Sequence, residues 1–232
     1  MAEKNLDFDT VIDRTHTNSL KYDFAVQRGK PMDVLPLWVA DMDFQVSSYI
    51  QEALSGSVAH GIFGYSEAEG SYFEAVAGWM SRHYGWNVEE TWLVKTPGIV
   101  FALAQAVRAF TEPGDAVLLQ QPVYYPFSQV IRDNGRKIVD NTLVQGEDGR
   151  YRIDFADFEE KIRSCKVKLF FLCNPHNPVG RVWTREELLR LGDICEKYGV
   201  IVVSDEIHAD FVFEGSHQVL VGLKESYRKF VV

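Results

Sequence analysis

Four short polar segments carry the residue types on which chemistry depends: residues 96–100, 121–127, 174–181 and 204–210. They contain, in that order, a glycine that opens an apolar helical pattern, two adjacent tyrosines between prolines, two Asn-Pro steps, and an acidic pair followed by a histidine. Free backbone N–H groups bind anions, aromatic rings stack on flat ligands, and a buried carboxylate requires a cation or a donor. The segments are therefore candidates for a ligand site, and a phosphate, a flat ring and a cationic group are among the features that they could bind.

The first two segments each allow a structural alternative. Gly98, Ile99 and Val100 lie at a strand-to-helix junction, where free backbone N–H groups suit a phosphate. A helix N-terminus capped by Thr96 would need no ligand. Tyr124 follows a predicted strand, and its ring could stack on a cofactor or pack in the core. The residues alone leave these alternatives open.

The last two segments are more specific. Asn177 precedes a proline, which holds it extended and fixes the direction of its amide, although turn chemistry alone is the alternative. Asp205 ends an apolar strand, so its carboxylate is expected to be desolvated and paired with a cation such as a protonated ring nitrogen. His208 could donate to an oxygen of the same ligand, or be a satisfied structural residue. A metal site with Glu206 and Asp210 is disfavoured, because one histidine without a second His or Cys is poor metal spacing.

The elements that position these segments alternate between helices and strands. Helices are predicted at residues 50–58, 72–84, 99–110, 125–134, 155–165 and 184–198, and strands at residues 92–95, 116–120, 137–143, 169–173 and 200–204. The strands are apolar without alternation, which is expected when helices cover both faces of a parallel sheet. The fold class is therefore α/β, and all four polar segments follow predicted strands, at the edge where such sheets bind ligands.

Composition and charge exclude several classes of protein. The chain has 232 residues, of which 46% are hydrophobic and 25% charged, as in ordinary globular proteins. A net charge of −9 has the wrong sign for binding nucleic acid or anionic lipid. No apolar run is long enough to span a membrane, and the charged start lacks the apolar core of a signal peptide. Cys165, Cys173 and Cys195 are expected to be reduced and buried, so a cytoplasmic protein is predicted.

Two parts of the chain differ from the rest. Residues 1–47 are polar and irregular, and we interpret them as an N-terminal arm and small-domain segment beside a larger domain at residues 48–232. Phe230, Val231 and Val232 resemble the start of another buried strand. Because such a strand needs a continuation to satisfy its backbone groups, we expect the sequence to be truncated within its large domain.

Seven phrases of the sequence resemble a known family, in its order and spacing: VIDRTHTNSLKYDF, LPLWVADMDF, HGIFGYS, TPGIV, QPVYYPF, CNPHNPVGRVWTREEL and VSDEIHADFVF. They resemble the fold type I pyridoxal-phosphate enzymes of aminotransferase class I/II, and in particular the MalY/PatB branch of carbon–sulfur β-lyases. The resemblance extends from about Phe8 to Val232. It implies a mostly parallel sheet with helices on both faces, and pyridoxal 5'-phosphate as the cofactor.

The resemblance also implies roles for the residues of the polar segments. The backbone of residues 98–100 would hold the cofactor phosphate, and Tyr65 would reach the phosphate of the neighbouring subunit in a homodimer. Tyr124 would stack on the pyridine ring, and Asp205 would pair with its nitrogen.

Three further roles follow from the same resemblance. Asn177 and His208 would flank the oxygen of the pyridine ring. The backbone at Ala40 would lie near the carboxylate of the substrate, in the segment that closes on it.

The reaction implied is β-elimination from a sulfur-containing amino acid such as cystathionine or a cysteine conjugate, giving a thiol, pyruvate and ammonia. The lysine that binds the cofactor is expected in a Ser-x-Lys motif beyond Val232, with the arginine for the substrate carboxylate. Neither Lys224 nor Lys229 matches that position. We therefore expect this chain to be inactive by itself. The alternatives are an aminotransferase, or a non-catalytic remnant that binds a partner through its sheet edge.

Overall fold

The computed structural model describes residues 6–232 and divides the chain into two compact units, with the boundary between Glu67 and Ala68. The first unit has a turn-rich segment with one 3-10 helix, Val26–Arg28, followed by helix α1 (Ser48–His60). The division at residue 47 into functional domains stays a prediction. Within residues 6–232, no helix combines the length and the apolar character that crossing a membrane requires.

The second unit contains the alternating helices and strands. Its helices are α2 (Gly70–Tyr84), α3 (Ile99–Phe110), α4 (Tyr125–Asp133), α5 (Phe155–Cys165) and α6 (Arg185–Tyr198). Its strands are β1 (Ala116–Leu119), β2 (Lys137–Asp140), β3 (Val144–Gln145), β4 (Tyr151–Arg152), β5 (Leu169–Cys173) and β6 (Ile201–Asp205). Apart from β3 and β4, each of these elements was expected from the hydrophobic pattern.

Four strands form a parallel sheet in the order β2-β1-β5-β6, which confirms the predicted fold class. In the pair β5 and β6, Leu169 lies opposite Ile201 and Cys173 opposite Asp205. The segment at Val231 pairs in parallel with Val202 on the free edge of β6. The strand-like pattern at the end of the sequence therefore corresponds to backbone pairing with this sheet.

Helices cover both faces of the sheet, as the apolar strands predict. On one face, α3 and α4 pack on Val117 and Phe171. On the other face, α5 and α6 pack on Leu118, Phe170 and Leu172. Adjacent strand residues thus face opposite helical layers, which is why the strands are apolar throughout.

The strand predicted at residues 92–95 is wrong. Residues 90–92 form a 3-10 turn, and no strand forms over residues 92–95 in the described chain. Trp92 instead stacks on Trp86, with ring centroids 6.4 Å apart, and the guanidinium of Arg228 lies 5.2 Å from the Trp92 ring. The apolar pattern at this position reflects packing of an aromatic ring and not pairing in the sheet.

Close packing of α6 gives a prediction about a glycine in the helix interior. A Cβ at Gly192 would lie 2.4 Å from Cζ of Tyr227, whose buried hydroxyl donates to the Leu189 carbonyl oxygen at 2.9 Å. Because the ring is fixed, Gly192→Ala is expected to lower the free energy of unfolding by about 1–3 kcal/mol, measured by urea denaturation. Gly56→Ala in α1 is the control, because a Cβ there meets no atom within 4 Å. Equal losses in the two variants would contradict this packing.

Candidate functional site

The order of the strands creates a crevice between β1 and β5. From β1 the chain passes to β2 on one side, and then returns to form β5 and β6 on the other. The loops that follow β1 and β5 therefore leave the sheet in opposite directions. Crevices of this kind, at the carboxyl ends of parallel strands, are where α/β proteins bind ligands.

Two hydrogen bonds join the loops that border the crevice. The backbone N–H of Tyr124 donates to the carbonyl oxygen of Asn177 at 3.0 Å. Nε2 of His176 lies 3.0 Å from the carbonyl oxygen of Pro122. A carbonyl oxygen can only accept, so Nε2 is the donor in this bond. Burial lowers the pKa of the His176 imidazole below its usual value, which favours the neutral ring. The structure thus brings together the predicted site residues Tyr124 and Asn177.

Further hydrogen bonds fix the loop that follows β5. Nε1 of the buried Trp183 donates to the carbonyl oxygen of Cys173 at 3.0 Å, and the backbone N–H of Asn177 donates to Sγ of Cys173 at 3.4 Å. The buried Asn174 amide donates to the carbonyl oxygen of Gln218 at 3.1 Å. These bonds set the path of the loop from which the Asn177 side chain projects.

Asp205 ends β6 and is 8% exposed. Its Oδ1 accepts a hydrogen bond from the backbone N–H of Ile207 at 3.1 Å. Burial raises the pKa of the Asp205 carboxyl above its usual value, and nearby His208 opposes this effect. Among the described residues this carboxylate has no cationic side chain within ion-pair distance. It is therefore well suited to a cationic group of a ligand.

The remaining part of the predicted site in this unit is the start of α3. The extended residue Gly98 precedes the helix, and its carbonyl oxygen accepts the N–H of Ala102 at 3.0 Å. No side chain of the described residues caps this helix, and the Thr96 hydroxyl instead donates to the carbonyl oxygen of Gly98 at 3.3 Å. The first backbone N–H groups of α3, at the exposed Ile99 and Val100, have no partners within the helix.

The other predicted residues lie as follows. Tyr124 precedes α4, and its partly exposed ring makes an edge contact with Tyr125, with centroids 5.4 Å apart. No hydrogen bond or ring contact in the described chain links residues 98–100 to Tyr124, Asn177 or Asp205. Ala40 and Tyr65 are exposed residues of the first unit, and their roles at the site stay predictions.

One polar pair near the site was missed by sequence reasoning. Oε2 of Glu206 lies 2.8 Å from Nε2 of the buried His217, and Oε1 of Glu206 accepts from the Ser204 hydroxyl at 2.8 Å and from the Leu220 N–H at 3.1 Å. The pair fastens the segment after β6 to the end of that strand. Its members are eleven residues apart and share no motif, so no local signal indicates it.

Asp210 and Lys224 also have partners in the structure. Asp210 accepts hydrogen bonds from Trp79, at 3.3 Å, and from Tyr84. Nζ of Lys224 pairs with Asp193 of α6 and lies 5.5 Å from the ring of Tyr227. Within residues 6–232, no three His, Cys, Asp or Glu side chains are grouped so as to hold a metal ion.

The cysteines differ in exposure, which corrects the expectation that all three are buried. Cys165, at the end of α5, is exposed, and Cys173 and Cys195 are buried. Burial raises the pKa of the Cys173 thiol to about 12 and also raises that of Cys195. We expect iodoacetamide to alkylate Cys165 of the folded chain about a hundredfold faster than the other two, measured by mass spectrometry. Similar rates at all three positions would contradict the burial of β5 and α6.

Comparisons with known proteins agree with this architecture. Residues 33–232 match the model of the family described as aminotransferase class I and II. The chain is 47% identical over 223 residues to cystathionine beta-lyase PatB of Bacillus subtilis (strain 168), and the match covers 96% of this chain and 57% of PatB. The chain thus spans little more than half the length of this relative.

Two solved structures are similar over nearly the whole chain. Cystalysin from Treponema denticola, which contains a pyridoxal 5'-phosphate cofactor, is 36% identical with a TM-score of 0.91, and the match covers 98% of this chain and 58% of cystalysin. The PLP-bound C-S lyase from Staphylococcus hominis is 34% identical with a TM-score of 0.90, and the match covers 99% of this chain and 58% of the lyase.

Proposed function

The chain belongs to the aminotransferase class I and II family, and on that premise we propose that it forms the cofactor-binding part of a pyridoxal-phosphate-dependent carbon–sulfur β-lyase. The observation that carries the proposal is the buried Asp205 carboxylate at the carboxyl end of β6, which has no cationic partner among residues 6–232. The lyase activity of relatives such as PatB supports the choice of reaction. The substrate would be a thioether amino acid, such as cystathionine or a cysteine conjugate.

The residues present suit the proposed cofactor. The cofactor carries a phosphate, for which the uncapped N–H groups at Gly98, Ile99 and Val100 provide donors. It carries a flat ring, for which the exposed face of Tyr124 provides a stacking surface. It also carries a basic ring nitrogen, for which the desolvated Asp205 provides the counter-charge.

The other proposed contacts come from the neighbouring loops and from the first unit. Asn177 and His208 would flank the ring oxygen, and their backbones are fixed by the contacts at Cys173 and by the turn after Asp205. The backbone at Ala40 would bind the substrate carboxylate. Tyr65 of a second copy would reach the phosphate.

When bound, the cofactor supplies an electron sink that stabilises negative charge at the Cα of the substrate. The role of Asp205 is to keep a proton on the ring nitrogen, because an ionised carboxylate beside that nitrogen raises the pKa of the ring. Tyr124 and Asn177, whose backbones are joined by a hydrogen bond, would orient the ring at the crevice. In the overall reaction the Cβ–S bond breaks, one water is consumed, and a thiol, pyruvate and ammonia leave.

The experiment that tests this function is an assay of the whole protein encoded by the gene. With L-cystathionine and no keto acid, we expect pyruvate, ammonia and a thiol in equal amounts. The family also contains aminotransferases, for which amino transfer would require an added keto acid and release no thiol. Amino transfer without release of a thiol would show that the protein is an aminotransferase and not a lyase. If the protein catalysed neither reaction, both assignments would be refuted.

We further propose that the whole protein is a cytoplasmic homodimer. Free cysteines support the cellular location. Ile50, Leu54 and Val58, four residues apart on one face of α1, are all exposed, which supports a subunit contact. We expect light scattering to give the mass of a dimer, and Leu54→Glu to give that of a monomer. A monomeric wild-type protein would contradict the proposal.

A further inference from the structure

Residues 38–43 of the first unit form an irregular segment with an unusual backbone. Val39 has a φ of +46°. This left-handed region is unfavourable for a β-branched residue and costs about 1–3 kcal/mol. Such a conformation persists only where neighbouring groups hold the chain, so other residues of the unit must fix this segment.

Arg14 provides the first attachment. Its Nη1 donates to Oδ1 of Asp43 at 2.6 Å and to the carbonyl oxygen of Met42 at 3.3 Å, and its Nη2 donates to the carboxylate of Asp41. One guanidinium therefore binds three consecutive residues. The planar group has donors in fixed directions, so it sets the direction of the segment as well as its distance.

Lys21 provides the second attachment. Its side chain is only 8% exposed, and its Nζ donates to Oδ2 of Asp43 at 2.8 Å and to the carbonyl oxygen of Asp41 at 3.0 Å. The Lys21 ammonium, followed by the Arg14 guanidinium, lowers the pKa of the Asp43 carboxyl to about 2. Asp43 is therefore ionised at neutral pH, where both attachments are present.

The loop that carries the two cations is itself fixed. The Asp23 carboxylate accepts the backbone N–H groups of His16 at 2.8 Å and of Thr17 and Ser19 at 3.0 Å. The Thr17 hydroxyl donates to the carbonyl oxygen of Arg14 at 2.7 Å. The cations are thus held independently of the segment that they bind.

A donor in the segment has no acceptor. Nε1 of Trp38 is buried and makes no hydrogen bond with any described residue. A buried donor without a partner costs about 1–3 kcal/mol. Trp38 lies two residues before Ala40, so the strained backbone and the unsatisfied donor fall within the same six residues. Strained backbone of this kind is concentrated at active and ligand-binding sites, and a buried donor without a partner is available to an acceptor from outside the described residues.

We propose that Arg14 and Lys21 are positioning residues that hold residues 38–43 ready to bind the carboxylate of the amino-acid substrate. The inference rests on the proposed function, because that function assigns the substrate carboxylate to Ala40. The two cations do not touch the substrate. Their contacts stabilise the strained backbone before the substrate binds. Less of the free energy of substrate binding is then needed to order this segment.

The first test is kinetic and uses the whole protein. Lys21→Met and the isosteric Asp43→Asn are expected to raise the KM for L-cystathionine about tenfold and to change kcat less than about threefold. Arg14→Lys, which keeps the charge and one donor, should recover part of the loss seen in Arg14→Met. Lys30→Met, at an exposed lysine of the same unit, is the control and should leave KM unchanged. An unchanged KM in both Lys21→Met and Asp43→Asn would overturn the substrate role.

The second test needs neither substrate nor cofactor. Hydrogen exchange of the backbone amides at residues 39–43 is expected to be at least about tenfold faster in Lys21→Met and Asp43→Asn than in wild type, with exchange in α5 and α6 unchanged. Unchanged exchange at residues 39–43 would overturn the positioning role. If the whole protein lacked elimination activity, the proposed function would fail, and the exchange result would still decide whether the cations hold the segment.

Discussion

Asp205→Asn is expected to stabilise the cofactor-free chain at neutral pH and to weaken its binding of pyridoxal 5'-phosphate about a hundredfold. Both effects have one cause. The wild-type carboxylate is buried and has no cationic partner in the described part of the chain, so its ionisation is costly until the ring nitrogen of the cofactor neutralises it. The asparagine keeps the Oδ1 that accepts the Ile207 N–H but carries no charge.

The raised pKa of Asp205 determines how the stability of the folded chain depends on pH. Because burial raises the pKa of folded Asp205 above its ordinary value of 3.8, the unfolded chain ionises first as the pH rises. Wild type is therefore expected to lose stability relative to Asp205→Asn above pH 3.8, until the folded carboxyl is also ionised. The difference should be largest at neutral pH, and it should vanish well below pH 3.8.

Urea denaturation at several pH values measures the stability, and equilibrium dialysis measures the cofactor affinity. Asp133→Asn, at an exposed residue of α4, is the control and should change neither quantity. A variant that is less stable than wild type at neutral pH would contradict the desolvation of Asp205. A variant that binds the cofactor as wild type does would remove Asp205 from the proposed site.

His176→Leu is expected to lower the free energy of unfolding by about 2 kcal/mol and to weaken cofactor binding. The substitution removes the donor to the Pro122 carbonyl oxygen, and with it one of the two bonds between the loops that border the crevice. It also removes the edge contact with Trp183, where the ring centroids are 5.5 Å apart. His176→Gln retains an amide donor, and should recover part of both losses.

The same residue gives a signature in the pH dependence of stability. Burial lowers the pKa of folded His176 below its ordinary value of 6.5, so the unfolded chain takes up a proton first as the pH falls. Wild type should therefore lose stability below pH 6.5, down to the pKa of the folded ring, and this contribution should be absent from both variants. Urea denaturation between pH 7 and pH 5 measures it. An identical pH profile in His176→Leu and wild type would show that the ring is not buried in its neutral form.

Local sequence patterns predicted two kinds of element well: helices, whose backbone hydrogen bonds lie within the helix, and strands that are wholly buried. The helix over residues 99–110 has the expected bounds, because its apolar spacing and the preceding Gly98 mark both its face and its start. The strand over residues 169–173 also has the expected bounds, since a run of five apolar residues is typical of a central parallel strand.

The hairpin of β3 and β4 was missed for a physical reason. Each strand has only two residues, so it is too short to show a period. The Asp148-Gly149 pair is the one local signal, and the ion pair between Asp148 and Arg152 lies across the same turn.

Contacts between residues that are far apart in the sequence also could not be predicted from local patterns. The bond between His176 and Pro122 joins residues 54 apart, and Arg14 and Asp43 are 29 apart. The NPHNP phrase indicates a rigid loop, but not which carbonyl the histidine binds. The sequence motifs named the candidate residues of the site, whereas the bonds that position them come from the tertiary structure.

We propose that the carboxyl ends of β1, β5 and β6 form a pocket for pyridoxal 5'-phosphate. The most direct measurement is a crystal structure of the chain grown with that compound. We expect the ring nitrogen within hydrogen-bond distance of the Asp205 carboxylate, the ring against Tyr124, and the phosphate at the N–H groups that begin α3. Cofactor bound elsewhere, or a crevice that remains empty at saturating concentration, would contradict the claim.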